Sequence, residues 1–72
     1  MHEVRTELTA SVWKIVVPVG ASVRQGDEIA ILESMKMEIP IEAPVSGVVT
    51  EFLVEEGAAV QEGDLLARIS AD

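Results

Sequence analysis

Short apolar segments alternate along this chain with glycine-bearing turns, and the whole pattern occurs twice. Gly20-Ala21-Ser22-Val23-Arg24-Gln25-Gly26-Asp27 recurs as Gly57-Ala58-Ala59-Val60-Gln61-Glu62-Gly63-Asp64, an offset of 37 residues. Upstream, Val12, Ile15, Val16 and Val17 match Val49, Phe52, Leu53 and Val54; downstream, Ile29-Ala30 and Leu32 match Leu66-Ala67 and Ile69. Brief runs rich in Val, Ile and Thr between turn residues predict β-strands and leave little room for helices. Where Ile31 corresponds to Arg68 the side chains are expected to point outward, with Ala30/Ala67 and Leu32/Ile69 directed to the core. Ile29 and Leu66 break that alternation, which either a β-bulge or a strand covered on both faces explains.

The turns carry their own chemistry. In each Gly-Asp pair the glycine tolerates positive φ and Asp27 or Asp64 can accept hydrogen bonds from turn amides, so a structural role is expected for both aspartates. Pro18, Pro40 and Pro44 suit strand ends or edges, where a missing amide donor costs little. Two similar halves packed sheet against sheet bury one interior, which predicts an all-β sandwich with internal pseudo-two-fold symmetry. The first half has Ala10-Ser11 where the second has Ser46-Gly47, so one glycine of the symmetry is missing and the first strand is expected to bend differently.

Length and composition narrow the picture. Seventy-two residues make one domain, and with no cysteine that domain is held by packing and backbone hydrogen bonds alone. No apolar run approaches the roughly 18 residues of a membrane span, and the polar N-terminus lacks a secretory apolar stretch, so a soluble cytoplasmic protein with no membrane partner is the default. A formal net charge of −8 argues against nucleic-acid binding, which needs a basic footprint. The carboxylates are scattered without calcium-loop spacing or a base-nucleophile set, so no metal site and no independent catalysis are expected. His2, near the terminus, is expected to be disordered and without a ligand or catalytic role. Trp13 is expected to lay its body over the sandwich with its indole nitrogen near solvent, in preference to a dedicated partner contact.

Between the repeats stands Glu33-Ser34-Met35-Lys36-Met37-Glu38-Ile39-Pro40, where a hairpin reversal is required. Lys36 is one of two lysines, and its neighbours are methionines rather than Gly, Asn or Asp, the usual turn formers. A two-residue turn here demands positive φ at bulky residues, a strain of about 1–3 kcal/mol each that proteins tolerate chiefly at functional sites.

Glu33-Ser34-Met35-Lys36-Met37-Glu38 closely resembles the Glu-Ala-Met-Lys-Met motif of biotin carboxyl carrier domains in the biotinyl/lipoyl attachment family. The motif also sits midway through the duplicated Gly-Ala-x-Val-x-x-Gly-Asp pattern, as in that family, and the resemblance spans roughly Val12 to Ile69. Residues 1–8 are accordingly expected to form an N-terminal extension or edge strand, and 9–72 the carrier domain. Ser34 in place of alanine is a small-for-small change.

The resemblance implies a flattened barrel of hammerhead type, two four-stranded sheets with the modified lysine on an exposed hairpin and the chain termini together at the opposite end. It implies that Lys36 is the attachment point of covalent biotin, the only cofactor. A biotin protein ligase would join the two, since an ordinary lysine ammonium, with a pKa of about 10.4, is a poor nucleophile near neutral pH. The carrier would then move a carboxyl group from a biotin carboxylase to a carboxyltransferase without catalysing either step. Met35 and Met37 are expected to form an apolar collar that the ligase recognises. Glu33, Ser34 and Glu38 complete the recognition set, with orientation of the lysine or solvation of the strands as equal readings of the two glutamates. Lipoylation of Lys36 is the nearest rival, but lipoyl domains generally show Asp-Lys-Ala at the target. An unmodified structural or adaptor domain is the third reading. The initiating Met1 and the end after Asp72 suggest a free-standing single-domain form, and the acyl substrate of any parent carboxylase leaves no trace in the carrier.

Overall fold

The computed structural model describes residues 1–71; Asp72, the last position of the expected carrier segment, lies outside the described residues. Eight strands follow in order: β1 (His2–Arg5), β2 (Ala10–Ile15), β3 (Ser22–Val23), β4 (Glu28–Ser34), β5 (Met37–Glu42), β6 (Gly47–Phe52), β7 (Ala59–Val60) and β8 (Leu65–Ala71). They form two four-stranded sheets, ordered β1-β8-β6-β3 and β5-β4-β2-β7. The 37-residue offset carries each of the first four strands onto the strand four places later, and it carries the first sheet's order onto the second's.

This is the expected fold with a different assembly of its halves. Packing of one half against the other would give each half its own sheet, yet each sheet takes two strands from each half. The interleaving comes from connections of 4 or 6 residues that cross to the other sheet at every step except the β4–β5 turn, so β2 pairs with β4 while β6, its counterpart, pairs with β8. His2 is also placed differently from expectation. It is an ordered, exposed residue of β1, held opposite Ile69 of β8 by the edge-strand ladder. Similarity between β1 and β5 is thin in sequence, with Val4 and Ile41 the one apolar match, which is why the repeat is hard to follow upstream of Val12.

The broken alternation at Ile29 and Leu66 resolves into bulges. Against β5, the register of β4 runs Glu28↔Glu42 and then Ala30↔Ile41, leaving Ile29 as the extra residue. Against β1, the register of β8 runs from Leu65↔Arg5 to Ala67↔Val4, leaving Leu66 extra. A bulge turns two successive side chains to one face, and both members of Ile29-Ala30 and of Leu66-Ala67 are buried. The extra residues reach across the sandwich. Ile29 joins Val4, Val49, Ala67 and Ile69, whereas Leu66 joins Val12, Leu32 and Val60. Full burial of side chains of this size contributes about 1.5–3 kcal/mol each, the main resource of a small domain without cross-links. Two further bulges, at Trp13 on β2 and Thr50 on β6, are related by the same offset.

The Gly-Asp turns behave as their chemistry requires. Asp27 Oδ2 accepts from the Arg24 amide at 2.9 Å and Asp64 Oδ2 from the Gln61 amide at 2.8 Å, with Gly26 and Gly63 at φ 94° and 91°. At the strict offset Gly47 is equivalent to Ala10, and the two strands differ there. Gly47 lies opposite Ala71, so close that a Cβ would overlap the Ser70 carbonyl oxygen. The β2–β4 ladder instead stops at Ser11↔Glu33, and Ser34 Oγ donates to the Thr9 carbonyl at 3.3 Å.

β1 runs from His2, beside Ile69, to Arg5, beside Leu65. The next residues continue in that direction to Thr9, beneath the β4–β5 turn. The hairpin and the paired ends of β1 and β8 at His2 and Ile69 therefore lie toward opposite poles of a body measuring 35 × 17 × 17 Å.

Candidate functional site

Lys36 is the second residue of a two-residue turn joining β4 to β5. Ser34 and Met37 form the last cross-strand pair, and Met35 and Lys36 span the gap with φ 51° and 67°. A type I′ turn needs positive φ at both central positions, because only that twist matches the flanking strands. Here two long side chains occupy positions that glycine or asparagine would fill with less strain. The geometry throws both outward: Lys36 is exposed and Met35 is 92 % exposed, with Met37 at 65 %. Two exposed methionines thus flank the exposed lysine on either side in the chain.

Glu33 and Glu38 lie directly opposite each other, both exposed. Like charges in that arrangement oppose sheet formation. Neither forms an ion pair with Lys36, which has no ion-pair or side-chain hydrogen-bond partner among the described residues. Ser34, half-buried, ties the base of the hairpin to Thr9.

A concavity of about 320 Å³ lies between the edge strands β1 and β5, lined by Glu3, Val4, Arg5, Pro40, Ile41, Glu42 and Pro44, and it includes no residue of the turn. No group of three or more potential metal ligands occurs among the described residues. A sandwich that holds an exposed amine at its pole, on a turn of two left-handed residues, has the form of a presentation scaffold, the class to which carrier domains belong.

The family described as "Biotin-requiring enzyme" matches residues 3–69, and the chain belongs to it. It is 48 % identical to the biotinylated protein TB7.3 homolog of Mycobacterium leprae, over 96 % of this chain and 97 % of that protein. It is also 48 % identical to the biotin/lipoyl attachment protein of Bacillus subtilis, over 93 % and 92 % of the two chains. Among solved structures, urea carboxylase of Kluyveromyces lactis superposes with a TM-score of 0.91 at 39 % identity, covering 96 % of this chain but 6 % of the carboxylase. The lipoyl domain of the Azotobacter vinelandii 2-oxoglutarate dehydrogenase complex shares the fold, with a TM-score of 0.82 at 21 % identity. The residues present fit a covalently held group, because Lys36 can accept an acyl chain in amide linkage without displacing any packed or paired atom.

Proposed function

We propose that this chain is a biotin carboxyl carrier whose Lys36 is biotinylated by a biotin protein ligase and then serves a biotin carboxylase and a carboxyltransferase. The observation that carries the reading is the Met35-Lys36 turn, two bulky residues in left-handed backbone presenting an unpaired amine. That strain has no packing benefit to offset it, so presentation of the amine is what it serves. A relative named as biotinylated, matched over 96 % of this chain and 97 % of its own length, supports biotin over lipoate. A cytoplasmic location belongs to the same proposal.

The part played by the chain is physical. Lys36 Nζ, once it has given up its proton, attacks the carboxyl carbon of adenylated biotin on the ligase. A C–N bond forms, the bond from that carbon to the phosphate oxygen breaks, AMP departs, and the nitrogen releases a second proton to solvent to leave a neutral amide. Loss of the ammonium takes the formal net charge from −8 to −9. Bound biotin supplies a ureido nitrogen able to take up and release a carboxyl group. The rigid sheets keep the hairpin available, and the lysine stem tethers its cargo so that each visit to an active site is intramolecular, at about mM effective concentration.

Intact mass of the chain from its native cell, alongside a Lys36→Ala control, tests the reading. A biotin adduct lost in the control is expected. A lipoate adduct, or a bare amine throughout, overturns it.

A further inference from the structure

The two sheets are internal copies, so each outer face is a control for the other, and their central rows differ in kind. On the first sheet the row is Thr50 and Glu51 on β6, Arg68 on β8 and Glu3 on β1. It is self-satisfied: Arg68 Nη1 meets Glu51 Oε1 at 2.7 Å, Arg68 Nη2 meets Glu3 Oε2 at 3.7 Å, and Arg5 Nη2 meets Glu3 Oε1 at 2.9 Å. The offset carries these four positions onto Trp13, Lys14, Ile31 and Pro40 of the sheet bearing Lys36. The bulge that places Thr50 and Glu51 together opposite Arg68 places Trp13 and Lys14 together opposite Ile31. A polar, paired row has become one that is apolar at three of its four positions, Lys14 being its one charge, with Trp13 left 48 % exposed.

Charge frames the strip on both sides. Toward the hairpin stand Glu33 and Glu38, toward the other pole Glu28 and Glu42, each a cross-strand pair of like charges. Such pairs cost stability in the isolated domain and are relieved when a basic surface covers them. An apolar centre inside a charged rim is the anatomy of a protein–protein contact, with exposed tryptophan a common anchor.

We propose that this face of the hairpin sheet, centred on Trp13, Ile31 and Pro40, is the docking surface for the biotin protein ligase, received by an apolar patch flanked by Lys and Arg. The inference rests on Lys36 being the biotinylated residue. Reach selects the ligase: it must bring a bare lysine amine to its own active site, so it must cover the hairpin and the sheet beside it. Ile31 lies five residues from Lys36 along β4, about 16 Å, within such a footprint. Partners acting on the far end of a biotinylated arm have no such requirement.

Giving the strip the residues of its internal copy, as Trp13→Thr/Ile31→Arg/Pro40→Glu, tests this in biotinylation assays of the full chain with ligase, biotin and ATP. KM for the carrier is expected to rise at least about tenfold while kcat changes less than about twofold, and direct binding to the ligase should weaken in parallel. The single Trp13→Thr change, on an exposed side chain, gives the same direction should the triple variant unfold. Arg68→Ile, on the opposite sheet, is the control and leaves KM unchanged. A folded variant labelled with the wild-type KM overturns the docking face while leaving Lys36 as the attachment point. Wild-type chain that the ligase never labels overturns the Lys36 reading itself. Sedimentation showing that the strip pairs two copies of this chain also overturns the ligase as its occupant.

Discussion

Strain at Met35 and Lys36 separates stability from presentation at two adjacent residues. Replacing the pair by the residues a type I′ turn prefers, as Met35→Asn/Lys36→Gly, should stabilise the domain by about 1 kcal/mol, a rise in Tm of about 4–8 °C for a chain of this size, while abolishing labelling. A melting curve unmoved by the double substitution would show that the turn is not strained. Met35→Ala leaves the strain in place and removes only an exposed side chain, so it should slow ligation without lowering Tm; equal ligation rates would dismiss the collar. Much of this was legible beforehand, because a two-residue reversal between paired strands dictates backbone sign whatever side chains fill it. The face around Trp13 was not. A lone tryptophan in a strand reads as partly buried cover, and only the cross-strand register brings Ile31 and Pro40 beside it.

At the level of strands, the bulges decide which residues reach the interior. The sequence left two accounts of Ile29 and Leu66, since alternation alone does not distinguish an extra residue from a strand covered on both faces. The register settles it, because the same irregularity appears at both members of the repeat. The asymmetry at Gly47 and Ala10 was visible as a missing glycine, but its cause lies in the neighbouring strand. β8 approaches Gly47 too closely for a side chain, whereas β4 stops its ladder to β2 one residue earlier. Gly47→Ala should therefore destabilise the domain by about 1–3 kcal/mol through displaced backbone, and Ala10→Gly by about 1 kcal/mol or less. Chemical denaturation of both variants checks the contrast; equal losses would mean that the close approach is not what selects glycine.

Across the whole molecule, the sheets bind the halves into one cooperative unit. Every sheet needs strands from both halves, so peptides covering residues 1–36 and 37–72 should each lack β-structure by circular dichroism. A folded half would contradict the interleaved topology. Electrostatics adds a pH dependence on the sheet opposite the docking strip. The Arg5 hydrogen bond, then the charges of Arg5 and Arg68, hold the Glu3 carboxyl below its ordinary value of 4.5. Protonation is thus harder in the folded chain, so the contribution is fully present above that value and is lost as pH falls through the lowered folded one. The Tm difference between wild type and Glu3→Gln should be small, constant near neutrality, and close below pH 4.5. A difference that widens on acidification would reverse the assigned sign.

The pairing of His2 with Ile69 has one more consequence. Since first and last strands run side by side, a brief peptide bridge should join their ends, and new ends opened at a distant loop such as Gln61–Glu62 would give a circular permutant with the same eight-strand architecture. Connectivity at that pole is free to vary, which is how one compact body can serve both as nearly the full length of some relatives and as 6 % of others.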